Sequence, residues 1–296
     1  MAGLKEVRTR IASVISTQQI TSAMKMVAAS KLRKAQNNIV ALRPYALKLK
    51  GIIQNISENG SMADSVFTKV ENPDKVLLVV ITSNRGMCGA FNSSVNKATL
   101  EHIQTNFTDQ NRRGNLHMIT IGRKGTEFFK RRNYKVEASF NNIFDNLDYT
   151  NVSEIANQIM DWYKDKTYSR VDLVYNQFKN AATQILTVEQ MLPLVPEKVE
   201  VTQKQFHNDY IFEPQEEELL LAVIPQLLRI QLFKALLDSY ASEFGARMTA
   251  MHKATENAGE ILKDLKIRYN NARQASITKE LIEIVSGAEV LKDFPA

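Results

Sequence analysis

The stretch LKEVRTRIASVISTQQITSAMKMVAASKLRKAQNNIVAL, from Leu4 to Leu42, decides the fold. Read in sevens it places Leu4, Val7, Ile11, Val14, Gln18, Thr21, Lys25, Ala28, Leu32, Ala35, Ile39 and Leu42 at successive a and d positions, a coiled-coil seam with a polar interruption at its middle. Polar groups in a dry seam cost free energy unless they find hydrogen-bond partners. Gln18, Thr21 and Lys25 therefore point either to a partner chain at that level or to looser packing. Pro44 removes a backbone donor and clashes with the preceding turn, which predicts a kink or a stop near Arg43.

The other end of the chain repeats the pattern. Leu220, Val223, Leu227, Ile230, Leu237, Ala241, Phe244, Met248, Met251, Ala258, Leu262, Leu265, Tyr269 and Ala272 keep heptad register, with Lys234 and Thr255 as exceptions. After Ala272 the apolar positions resume one residue late, at Ile277, Leu281, Ile284, Ala288 and Leu291, a phase shift that predicts altered supercoiling. Pro225 suits the first turn of this helix, where a missing N–H costs nothing. Gly245 and Gly259 weaken the helix but permit close approach of another one.

Between these ends the period changes. KVLLVVITS, LHMITIG, VEASF, VDLVYNQF and QILTVEQMLPL read as strands, and Ala90–Asn106, Lys124–Arg132 and Ser153–Lys166 as helices between them. Alternation of this kind predicts an α/β layer with a mostly parallel sheet. The expected organisation is α/β: an antiparallel two-helix coiled coil of terminal helices at 1–57 and 213–296, with an inserted Rossmann-like domain at 74–201. The polar runs SENGSMADS at Ser57–Ser65 and TQKQFHNDY at Thr202–Tyr210 read as linkers.

The net charge of +6 is uneven. Residues 1–50 hold ten Lys and Arg against the single Glu6, which is +9 and leaves −3 for the remainder. A basic helix meets phosphates or acidic protein surfaces; without an aromatic stacking platform or a reading helix, nucleic acid is not the expected partner. No apolar run approaches the length of a membrane span, so no transmembrane segment is expected. The opening MAGLKEVRTR lacks the apolar region of a signal peptide, and the one cysteine suits a reducing compartment.

The strongest candidate for chemistry is SNRGMCGAFN, Ser83–Asn92, where Gly86 and Gly89 precede a helix as glycines do in phosphate-binding turns. It matches neither the dinucleotide nor the P-loop spacing, and a tight turn where strand becomes helix is the better explanation of the glycines. Cys88 beside Arg85 has the cation and helix terminus that activate a thiolate but no neighbouring base. His102, His117, His207 and His252 lack ligand spacing. Met24, Met26, Met248 and Met251 lie on the long helices, where methionine usually fills a core. Neither a catalytic residue nor a cofactor or metal site is expected.

Two long stretches carry a resemblance. RIASVISTQQITSAMKMVAASKLRKAQ, Arg10–Gln36, and SEFGARMTAMHKATENAGEILKDLKIRYNNARQASITKELIEIVSGAEVL, Ser242–Leu291, are similar to the gamma subunit of the F-type ATP synthase, and SNRGMCGAFN and GRKGTEFFKRR agree with it in the middle. The resemblance implies a central rotor shaft that couples proton-driven rotation of a membrane ring to ATP synthesis, or ATP hydrolysis to the reverse motion, without performing chemistry. It implies as partners a ring of alternating alpha and beta subunits, one shaft per three of each, together with the epsilon subunit and the c-subunit ring. The implied place is peripheral, on the cytoplasmic face of a bacterial inner membrane. Carried over by position, the contact candidates are Met24, Lys25, Arg247, Arg273, Gln274, Thr278 and Glu280. The chain departs from the family pattern at Asn84, at Phe244 and Gly245, and at Asn271.

Overall fold

The computed structural model describes residues 4–58, 66–68, 74–194 and 216–292. The linkers expected at Ser57–Ser65 and Thr202–Tyr210 lie outside these residues except for Ser57 and Glu58, as do 195–201, 213–215 and 293–296 of the expected segments. Two helices dominate: α1, Leu4–Glu58, and α6, Glu216–Lys292. Between them in sequence lie β1 (Val76–Ile81), α2 (Phe91–Asn106), α3 (Thr108–Arg113), β2 (Leu116–Ile121), α4 (Arg123–Arg131), β3 (Lys135–Phe140), α5 (Tyr149–Lys164), β4 (Arg170–Phe178) and β5 (Gln184–Leu192). The contacts divide the chain into two compact units, Ala28–Arg247 and the combination of Met1–Val27 with Met248–Ala296.

In the Ala28–Arg247 unit the five strands form one sheet in the order β3-β2-β1-β4-β5. β1 pairs in parallel with β2 and β4, β2 in parallel with β3, and β4 antiparallel with β5 through the hairpin at 179–183. Every residue of β1 and β2 is buried. This is why VLLVVI and LHMITI are continuous and not alternating runs, for a parallel sheet is covered on both faces. One face carries a core of Val76, Leu78, Val80, Val95, Ile103 and Phe129, to which α2 and α4 contribute. The other carries Leu77, Val79 and Ile81 with Ile155, Ile159, Ile224, Leu228, Leu232 and Leu236, so that α5 and the first part of α6 form the second layer.

Both prolines are overridden. α1 continues through Pro44, and α6 begins nine residues before Pro225 instead of at it. Packing outweighs the lost backbone bond in each place: Leu49 is buried in the sheet core with Ala46 against it, and Ile224 and Leu228 flank the second proline in the same core. Gln226 donates to the Tyr45 hydroxyl, and the Lys31 ammonium lies 5.3 Å from the Phe244 ring centroid. As α1 advances α6 recedes, so the two run antiparallel within this unit.

In the other unit α1 and α6 pair alone. The expected seam holds on α1, where Val7 is buried and Leu4, Ile11, Val14, Gln18, Thr21 and Lys25 are all partly buried. Facing them, Met251, Ala258, Leu262 and Leu265 are buried on α6. Met26, by contrast, is 64% exposed and fills no core.

Candidate partner-contact surface

The interrupted seam is answered from within the chain. Thr255, the polar exception on α6, donates its hydroxyl to Thr21 Oγ1 at 2.9 Å, and Thr21 in turn donates to the Gln18 carbonyl at 3.0 Å. Gln18 Nε2 lies 3.5 Å from the Thr255 carbonyl oxygen, and a Cβ on Gly259 would stand 3.3 Å from that same nitrogen. Two interruptions, one per helix, thus satisfy each other, and Gly259 supplies the room. Neither a partner chain nor slack is needed to explain Gln18 and Thr21. Met24 and Lys25 beside them are partly buried.

Beyond this pairing α6 has no companion helix among the described residues. Seventeen residues separate Thr21 from Leu4, and seventeen residues along α6 from Thr255 reach Ala272. From Arg273 to Glu289 every side chain is exposed. Arg273, Gln274, Thr278 and Glu280 all lie on this stretch. Thr278 donates its hydroxyl to the Gln274 carbonyl at 2.9 Å, while Lys279 and Glu283 approach to 3.6 Å. Ile277, Leu281, Ile282, Ile284 and Val285 are 49–68% exposed. The phase shift after Ala272 therefore acts on no seam: among the described residues no second helix accompanies those positions.

Arg247 belongs to a different environment. It is 8% exposed, ion-paired with Glu243, and donates through Nη2 to the carbonyls of Arg85 at 3.0 Å and Gly86 at 3.3 Å. Burial pushes the Glu243 carboxyl upward and the Arg247 charge opposes that shift. Arg247 stood among the contact candidates through resemblance, carried over by position, and a position in the sequence does not show what covers a side chain. Gly245, expected to admit a helix, instead admits the β4–β5 hairpin, since its Cβ would stand 3.1 Å from the Ala181 carbonyl oxygen.

The Ser83–Asn92 turn is built as structure. Asn92 Oδ1 accepts from the Ser83 amide at 2.9 Å, Ser83 Oγ donates to the Arg85 carbonyl at 2.7 Å, and Asn92 Nδ2 donates to Ser83 Oγ at 2.8 Å. Gly89 has φ of +60°, a conformation that favours glycine. The carbonyls of Arg85 and Gly86 accept a guanidinium, the opposite of the donor array that cradles phosphate. Cys88 is buried beneath the turn, and burial raises its thiol pKa, opposing a reactive thiolate. The described histidines pair locally: His102 with Asp172 at 2.8 Å, His117 with the Tyr168 hydroxyl at 2.7 Å, His252 with Glu256 at 3.6 Å. His207 lies outside the described residues. Among the described residues no helix is long and apolar enough to cross a membrane.

Comparisons with known proteins bear on what these surfaces meet. A family model described as ATP synthase matches residues 3–291. The ATP synthase gamma chain of Flavobacterium johnsoniae is 51% identical over 292 residues, covering 98% of this chain and 99% of that one. The gamma chain of Cytophaga hutchinsonii is 47% identical, covering 99% and 100%. Among solved structures, the central stalk/c-ring of the Tetrahymena thermophila mitochondrial ATP synthase matches with a TM-score of 0.58 at 25% identity, covering 79% of this chain and 99% of that one. A chain of the Euglena gracilis mitochondrial enzyme matches with a TM-score of 0.67 at 20% identity, covering 99% and 97%, and so shares the fold.

Proposed function

The chain belongs to the ATP synthase gamma-chain family, the central rotor of that enzyme, and from this premise we propose that it works without chemistry of its own. Its paired helices are a shaft inserted in a ring of alternating alpha and beta subunits, one chain per three of each. Its sheet domain sits with the epsilon subunit on the c-subunit ring. Proton flow through the membrane turns ring and shaft, and the turning shaft biases the nucleotide affinities of the surrounding sites. The complex places the chain peripherally on the cytoplasmic face of a bacterial inner membrane. Within the described residues the working division is a helix at 4–57, an inserted α/β domain at 74–194 and a helix at 216–292.

The observation that carries this reading is the unaccompanied end of α6. A helix whose every side chain from Arg273 to Glu289 is exposed, with five large apolar residues among them, is made to be surrounded. Arg273, Gln274, Thr278 and Glu280 are the contacts we assign there, with Met24 and Lys25 on α1. The basic surface of α1, where Lys5, Arg8, Arg10, Lys31, Arg33 and Lys34 are exposed, attracts acidic loops without a rigid lock. Rotation requires contacts that exchange, and charge attraction across water does so more readily than interlocked packing. Reconstitution with alpha and beta subunits tests this. The expected result is a complex with one copy per three of each, whose ATP hydrolysis depends on this chain; failure of the well-folded chain to assemble would overturn it.

A further inference from the structure

A sheet of order 3-2-1-4-5 has a crevice outside the carboxyl ends of β1 and β4, where open α/β folds hold their ligands. In this chain the loops at that edge hold a piece of protein. The turn after β1 meets α6 at Arg247, whose guanidinium bridges the carbonyls of Arg85 and Gly86. The hairpin after β4 meets α6 at Gly245, where a Cβ would stand a tight 3.1 Å from the Ala181 carbonyl oxygen. All of this lies within the Ala28–Arg247 unit.

At about 100° per residue, Gly245 points roughly 200° away from both Glu243 and Arg247. The two loops therefore grip α6 from nearly opposite sides. Glu243 and Arg247 lie one turn apart on the same side, and each is less than one-tenth exposed. Elsewhere α6 meets the sheet through a polar contact, Gln231 Nε2 donating to Glu189 Oε1 at 2.6 Å and to the Gln190 carbonyl at 3.3 Å, and through the apolar packing of Ile224, Leu228, Leu232 and Leu236. Such packing resists separation but is non-directional. A planar guanidinium that holds Glu243 through Nη1 and two successive carbonyls through Nη2 has direction, and a lysine cannot reproduce that fork.

We infer that this socket is the torsional link between sheet domain and shaft, with Arg247 and Gly245 as positioning residues that fix the angle of α6 about its own axis. The inference rests on the rotor reading and adds to it the place where torque enters the helix. A nucleotide would have to displace α6 to bind at that edge. The departures of this sequence at Asn84, Phe244 and Gly245 fall in the turn and on the gripped helix turn.

The test uses the assembled alpha–beta ring with this chain, carrying a rotation probe on a cysteine at exposed Lys97 on α2 (Lys97→Cys); buried Cys88 stays in place. The measured quantity is the angular spread of the probe during pauses, read in complexes that still rotate. Arg247→Gln is expected to widen the spread about twofold, and Arg247→Lys to restore part of the loss, because charge returns without the fork. Gly245→Ala, whose methyl would press on the Ala181 backbone at 3.1 Å, is expected to widen it as well and serves if Arg247→Gln does not assemble. A spread equal to that of the parent chain in either variant overturns the socket. Absence of rotation in the parent complex with the same probe would instead overturn the rotor reading.

Discussion

Two stretches of the same helix, Leu228–Arg247 and Arg273–Glu289, both carry large apolar residues, more densely in the first, and meet opposite fates. In the first, Leu228, Leu232, Leu236 and Ala241 have no exposed surface, and even Asp238, Glu243 and Arg247 are buried. In the second, nothing described is buried at all. Amphipathic sequence creates a demand for burial; neighbours decide whether the chain itself meets that demand. The first stretch contributes to the stability of the chain, and the second is free to spend its apolar surface on others.

The contrast is sharpest in core truncation. Leu236→Ala is expected to destabilise the free chain by about 2–5 kcal/mol in denaturant unfolding. A loss below about 1 kcal/mol would mean that α6 is not part of the sheet core.

Next in size comes a buried acid on the first stretch. Burial raises the Asp238 pKa from 3.8 to about 6, against the pull of Lys234 and Arg43. The folded chain therefore holds a proton that the unfolded chain releases, so this group's contribution to stability falls as pH rises from about 4 to about 6 and then levels off. Asp238→Asn is expected to flatten that portion of the stability–pH curve; an unchanged slope would place the titration elsewhere.

The seam lies between the two extremes. Thr255→Val removes the hydroxyl that reaches Thr21 and is expected to cost about 1 kcal/mol in the free chain. A stabilised variant would show the seam to tolerate an apolar replacement there. Smallest in the free chain is the overhang: Leu281→Ala should change stability by less than about 0.5 kcal/mol, while Gln274→Ala impairs coupled ATP synthesis and leaves helicity intact. Equal loss of helicity in the free Gln274→Ala chain would make its effect structural.

Much of this was legible beforehand, for physical reasons that differ by element. The five strands were readable because β-branched apolar runs between turn residues have few other uses, and the seam because heptad spacing survives inspection over many turns. Other features were decided by tertiary contact. α3 is too short to show a period. β5 is antiparallel because a tight hairpin returns it to β4, which apolar content alone does not reveal. Pro44 and Pro225 are strong local signals defeated by core packing on either side. The exposed candidates on α6 came from resemblance, and nothing in their spacing separated them from Arg247, whose partners are carbonyls far away in sequence.

The polar meeting of Gln18, Thr21, Thr255 and Gly259 has a further consequence. Two uniformly apolar seams can slide past each other by a heptad, about 10 Å, at modest cost. With this notch present, a slip by seven residues brings Thr255 opposite Ala28 or Val14, so its hydroxyl loses Thr21 and keeps only the Met251 carbonyl of its own helix. The notch is in effect an index mark on a ruler. It sets which residues of α6 stand beside which residues of α1, and so writes the alignment of the two helices into the sequence.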